Sequence, residues 1–209
     1  MSSYPVSFDV ERAARFTRVQ LLIRLAALMA LAILGVSFGT VFWVGYLLLP
    51  IYAASRIASV GSAARYAQAD GPRVMRVLHW YAAISSWAGL VTEALPAGDP
   101  AETVRVTLDS TPVASSPVAA LLRILTGSLS ALLLCFFGFI GVFVWIWAAF
   151  SILVSEGVGP GAVSYLVGLQ RWGMRLLVYQ ACLVDRYPPF SFGDGPPPAA
   201  RNNERIVTV

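Results

Sequence analysis

Residues 121–154 read LLRILTGSLSALLLCFFGFIGVFVWIWAAFSILV, and a single charge, Arg123, interrupts them. A helix that crosses a bilayer needs about 20 predominantly apolar residues, so this run is long enough with positions to spare. A core helix of a soluble protein seldom stays apolar on every face for such a length. Leu21 to Leu49 forms a second run of the same kind, broken only by Arg24. Hydrophobic residues make up 57% of the chain and charged residues 12%, with a mean hydropathy of +0.70. Soluble domains carry about 25% charged residues. The expected class is therefore an all-α integral membrane protein.

The two runs belong to a wider echo. Val6-Ser7-Phe8-Asp9 is answered by Val106-Thr107-Leu108-Asp109, Arg24 by Arg123, and MRVL at 75–78 by MRLL at 174–177. Trp80 answers Tyr179, and Ala82 answers Ala181, all at a spacing of 99 or 100 residues. The chain reads as one module written twice: 1–96, then 97–192, followed by a Pro-rich cytoplasmic tail at 193–209. Each copy holds a short extended segment, a long transmembrane helix and a returning or interfacial helix.

Residues 4–9 and 103–109 alternate in character as strands do, with Val104, Val106 and Leu108 facing one way, and the two segments are candidates to pair. The long helices are expected over 12–49 and 117–154. Gly35 and Gly39, Gly127 and Ala131, and Gly138 and Gly141 are spaced for close helix approach or are tolerated glycines in membrane helices. Glu156-Gly-Val-Gly-Pro-Gly161 is a strong stop, and the matching break in the first copy spans Pro50 to Gly71. The second returning helix covers about 161–187. Its counterpart carries Arg73 and Arg76 and holds about seven extra residues before Glu93. Two copies in one orientation place residues 12–18 on one side of the bilayer and Arg56 and Arg65 on the other. The positive-inside rule then sets both termini in the cytoplasm. Residues 1–18 carry five charges before the first apolar run, unlike a secretory signal.

All fifteen basic residues are arginine, as a GC-rich genome or a preference for bidentate contacts produces. The net charge of +4 fits anionic headgroups better than nucleic acid. Cys135 and Cys182 sit in apolar contexts and read as small hydrophobes. His79 lies among Trp80, Tyr81 and Trp87 and reads as an interfacial histidine rather than a proton relay. No metal-ligand spacing, nucleophile elbow or phosphate loop occurs, so no cofactor is expected and no case for an enzyme arises.

Arg171 and Arg175, four apart on one helix face, form the sharpest cluster with Asp185 and Tyr187. They suit a lipid phosphate or a partner's carboxylate. Alternatively, they fix helix depth by pairing with Asp185, Glu156 or backbone carbonyls. Arg73 and Arg76 are the corresponding candidates in the first copy. Pro188 and Pro189 stop the helix after Tyr187.

The stretch Gly157-x-Gly-Pro, Leu169-Gln-Arg171-Trp172, Arg175, Tyr179, Leu183-Val-Asp185-Arg-Tyr187-Pro188-Pro189-Phe190 resembles domain-of-unknown-function family 4389, a group of bacterial membrane proteins. The opening YPVSFDVE is similar to the family's start, so the likeness covers about residues 4–192. The first copy lacks the Tyr-Pro-Pro-Phe close. The resemblance implies a bacterial inner-membrane location and no settled activity. The expected role is a non-catalytic accessory or scaffold subunit whose partners are membrane lipids and other membrane-protein subunits. A lipid- or small-solute-handling protein is the alternative.

Overall fold

A computed structural model describes residues 4–10, 13, 15–93, 95–109 and 113–193. The chain is mostly helical with one two-stranded sheet. In order come β1 (Val6–Val10), α1 (Arg18–Ile33), α2 (Phe38–Val60), α3 (Ala63–Ala69), α4 (Gly71–Ala88), β2 (Val104–Leu108), α5 (Pro117–Thr126), α6 (Ser128–Ser155) and α7 (Pro160–Gln180). The helix starts follow from local chemistry. Thr17, Ser37, Ser62 and Ser116 each accept a hydrogen bond from the backbone N–H three residues on. Pro117 and Pro160 fill first-turn positions that need no N–H donor. Most of the expected tail, from residue 194 on, lies outside the described residues.

The first apolar run is not one helix. It breaks between Leu34 and Ser37, where Gly35 turns left-handed at φ +72° and Ser37 caps a new helix. That helix then runs on through Pro50, which is buried inside it, to Val60. Hydropathy does not register a turn built from apolar residues, so the expected span of 12–49 is corrected; within the break expected from Pro50 to Gly71, the helix ends at Gly61 and again at Asp70. The second run holds better: α5 and α6 make a 39-residue stretch, Pro117–Ser155, interrupted at Gly127.

The long stretches run in opposite senses. The backbone N–H of Phe16 donates to the Glu156 carbonyl (3.0 Å), and Arg18 pairs with the Glu156 carboxylate (3.6 Å). The start of α1 thus sits at the end of α6. At the other end, Ile57 to Ala64 share a cleft with Val113 to Pro117, so α2 finishes where α5 begins. The sequence reading sets residues 12–18 and 156–161 at opposite ends of parallel helices, and this geometry overturns it. With Arg18 and Glu156 together, counting arginines no longer separates two sides of a bilayer.

β1 and β2 pair antiparallel about Phe8 and Val106. Val6, Phe8, Val10, Val104 and Val106 turn inward, while Asp9, Arg105 and Thr107 face out. The Ser7 and Thr107 hydroxyls meet at 2.6 Å across the outer face. Beneath the sheet the packing crosses over: β1 rests on α7, and β2 rests on α4. Each strand therefore sits on the returning helix of the other half. The centre of the molecule is α7, which is buried on every side from Leu166 to Gln180 save for half-buried Leu169 and Gln170.

Candidate functional site

The returning helices end alike. Leu90, just past α4, and Cys182, just past α7, both adopt positive φ (58° and 54°). Val91 N donates to the Ser86 carbonyl and Leu90 N to that of Trp87; Leu183 N donates to Val178 and Cys182 N to Tyr179. This is the Schellman closure, normally made with glycine.

Each closure is clasped by a buried arginine from the other end of its half. Arg123 donates through Nη1 to the carbonyls of Tyr179 (2.5 Å) and Val184 (2.6 Å). Its Nη2 donates to the Ser115 hydroxyl and the Asp185 carboxylate, both at 2.5 Å, and the guanidinium lies 4.4 Å from the Tyr179 ring centroid. Arg24 donates through Nη2 to the carbonyls of Thr92 (2.6 Å) and Glu93 (3.0 Å) and lies between the rings of Phe16 and Trp87. Its Nε and Nη1 are buried with no hydrogen-bond partner among the described residues. Where Arg123 has Ser115 and Asp185, Arg24 has aromatic faces, and the Glu93 carboxylate turns away to accept from Thr17 N (3.0 Å). Trp87 and Tyr179 lie 92 positions apart, not 99. Trp87 therefore occupies the place that the echo gives to Trp80; the seven extra residues fall before the helix end.

The interruption between α5 and α6 at Gly127 is held by the same neighbourhood, which supplies donors to the carbonyls of the preceding turn. Gln180 donates to the Arg123 carbonyl (3.0 Å), Tyr46 to Ile124 (2.6 Å) and Ser128 to Leu125 (2.7 Å). A Cβ at Gly127 would collide with the Gln180 amide. Gly141 is also a close approach: a Cβ there would come within 3.1 Å of Leu169. Gly35 is a turn, and at Gly39 and Gly138 a Cβ would meet open space or ordinary contact, so these three do not bring helices together.

Arg171 and Arg175 are 5% and 1% exposed. Both hold backbone carbonyls: Arg171 those of Phe8 (3.2 Å) and Phe192 (2.7 Å), Arg175 those of Ser191 (3.3 Å) and Gly193 (3.1 Å). Arg175 also lies 5.7 Å from the Tyr4 ring, and Tyr4 donates to the Arg186 carbonyl. The expected cluster is therefore divided. Asp185 goes to Arg123, Ala114 N and Ser115, and Tyr187 meets the Ser130 hydroxyl at 2.7 Å. Burial opposes ionisation of Asp185, but the hydrogen bonds from Ser115 and Ala114 and the charge of Arg123 prevail and hold its carboxyl below the usual range. Asp70, at the head of α4, is held low by the hydrogen bond from Arg56 (2.8 Å).

His79 takes the position on α4 that Arg171 takes on α7. Its Nε2 lies 2.9 Å from the Val106 carbonyl and 3.1 Å from its N–H, so α4 holds β2 as α7 holds β1. Burial pushes the Cys182 thiol up to about 11, which makes it a packing group, while Cys135 is exposed on α6. Arg73 and Arg76 are exposed on α4, and Arg76 lines an open cleft with His79, Trp80 and Asp99. Among the described residues, no group of His, Cys, Asp and Glu is placed to hold a metal. Sequence reasoning noted Arg24 and Arg123 as an echo but missed them as a framework. Their signal was the lone charge in each apolar run. Gln180 and Tyr46 carried no such signal. No family model matches the chain, and no curated protein or solved structure does either.

Proposed function

We propose that this chain is a non-catalytic integral membrane protein of the bacterial inner membrane, an accessory or scaffold subunit that packs within a larger membrane assembly. One observation carries the reading. Two stretches, α2 and α5–α6, are long and apolar enough to cross a bilayer, yet only 28% and 22% of their most apolar windows are buried. A core helix of a soluble protein would be mostly buried. On α6, Leu132, Phe136, Phe139, Phe143 and Phe150 are all more than half exposed, whereas Ala131, Gly141 and Ala148 face inward. Large residues outward and small residues inward is the division expected where lipid or another membrane helix is the neighbour.

The scaffold role is supported by how the interior polar groups are used. Arg24, Arg123, Arg171, Arg175 and Gln180 all bind backbone carbonyls. Groups committed in this way brace the fold and leave little to line an aqueous route. The matched arginine clasps support descent from a duplicated module, and the Gly157–Phe190 pattern keeps the resemblance to family 4389 within the same reading.

Carbonate washing of membranes, then recovery in mild detergent, tests it. The protein is expected in the membrane pellet and, after solubilisation, in a complex with other membrane proteins. Release by carbonate would overturn the membrane assignment; recovery only as a monomer or self-oligomer would overturn the accessory role.

A further inference from the structure

Beside the buried framework, α4 presents a face that the scaffold reading does not use. Arg73, Arg76, Val77, Trp80 and Ile84 recur at helical spacing and are all exposed, Val77 at 66% and Ile84 at 39%. The face is cationic toward the start of the helix and apolar toward its end. Arg76, with Met75, His79 and Trp80, walls a cleft of about 530 Å³, closed on the far side by Gly98, Asp99 and Pro100. Clefts of roughly 300–1,000 Å³ hold small ligands. Among the described residues, neither the Arg73 nor the Arg76 side chain makes a hydrogen bond or ion pair. Asp70, the nearest acid on the chain, is engaged by Arg56. His79 is held through Nε2 by Val106, so the cleft wall is fixed. Asp99 uses Oδ1 to cap the following turn at Ala101 N (2.9 Å) and retains lone pairs for a hydroxyl donor. The apolar end of α4 abuts the apolar belt: Trp145 Nε1 donates to the Ala88 carbonyl (2.9 Å), and Val142, Phe143 and Ile146 around it are exposed.

The geometry points to a binding site for an anionic phospholipid with a hydroxylated headgroup. Arg73 and Arg76 donate to the phosphate, Asp99 accepts from a headgroup hydroxyl, and an acyl chain lies along Val77, Trp80 and Ile84. Arginine suits this role because its planar donors meet phosphate oxygens in pairs. Trp80 suits the level of the headgroups. The assignment rests on the chain being embedded in lipid.

The full chain, placed in nanodiscs of phosphatidylcholine with a minority of phosphatidylglycerol, is extracted and examined by native mass spectrometry for retained lipid. Phosphatidylglycerol is expected to be retained in preference. The Arg73→Gln/Arg76→Gln double variant loses that preference by about tenfold or more. Arg105→Gln, on the outer face of the sheet, leaves it unchanged. Equal retention of both lipids would overturn the proposal, as would full retention by the double variant. Displacement by millimolar glycerol phosphate would assign the cleft to a soluble anion instead. Capture of an acidic protein through Arg76 in lipid-free detergent would also sink it. Failure to enter phosphatidylcholine discs at all counts against the membrane reading, not against this site.

Discussion

Arg24 stands over Trp87 as Arg123 stands over Tyr179, and each arginine holds backbone carbonyls at or just beyond the end of a returning helix. The two clasps differ in completeness. Arg123 has a carboxylate and a hydroxyl on its second nitrogen, whereas Arg24 has two ring faces and two buried nitrogens without acceptors.

That difference sets an order of cost. Removing one partner of a buried charge pair costs about 3–5 kcal/mol. The partial exposure of Asp185 discounts the ion-pair share of this, but the orphaned carbonyls of Tyr179 and Val184 remain. Arg123→Met is expected to cost about 3 kcal/mol or more. Arg24→Met removes an incompletely satisfied charge along with its bonds and is expected to cost about 1–2 kcal/mol. Thermal unfolding of both variants in the same detergent checks the order; equal losses would show that the missing acceptors carry no weight.

The glycines separate cleanly. At Gly127 an added methyl meets the Gln180 amide and the Arg123 carbonyl, so Gly127→Ala is expected to destabilise by about 1–3 kcal/mol. At Gly138 it meets nothing, and Gly138→Ala gains up to about 1 kcal/mol of helix propensity. Melting temperatures of the two variants are to move in opposite directions.

The two cysteines report on the surroundings without mutation. Cys135 lies exposed on α6 and Cys182 is buried with a raised pKa. A membrane-impermeant maleimide at pH 7 is expected to label neither cysteine in intact membranes or in mild detergent, where lipid or detergent covers Cys135, and both only after unfolding in SDS. Labelling of Cys135 in sealed membranes from either side would place α6 in water.

Acid is expected to loosen both ends of the returning helices. Asp70 and Asp185 have folded pKa values below the ordinary carboxylate value of about 3.9. A depressed value stabilises the folded chain in full above the unfolded pKa, and the contribution fades as pH falls through the folded one. Stability is thus flat in these two groups at neutral pH and declines below about pH 4. Asp185→Asn is expected to lower stability at pH 7 and to weaken that acid dependence, as melting curves from pH 7 to pH 3 would register.

Much of the architecture is legible in the residues. The alternation at 103–109 marks a strand because one face must be apolar, and the paired sheet follows. Gly157 to Gly161 cannot continue a helix, and α6 stops there. The turn at Gly35 is hidden because Leu34 and Val36 are as apolar as the helices they separate. The register of the returning helices is misleading for a different reason. MRVL and MRLL differ at one letter only, but what aligns the two closures is the backbone conformation at Leu90 and Cys182, which neither residue advertises. The fate of Arg171 and Arg175 depends on which chain segment lies over α7, and that is a matter of tertiary packing: β1 arrives from 163 positions away, residues 191–193 fold back from just beyond the helix, and both supply carbonyls.

The crossed seating of the strands has a consequence for biogenesis. Phe8 leaves the ribosome well before Arg171, which receives it and is made 163 positions later. Until then the opening strand has no bed, and a prematurely terminated chain would display it to the quality-control proteases. Synthesis as far as α7 is in this way written into the fold as a condition for β1 to be sheltered.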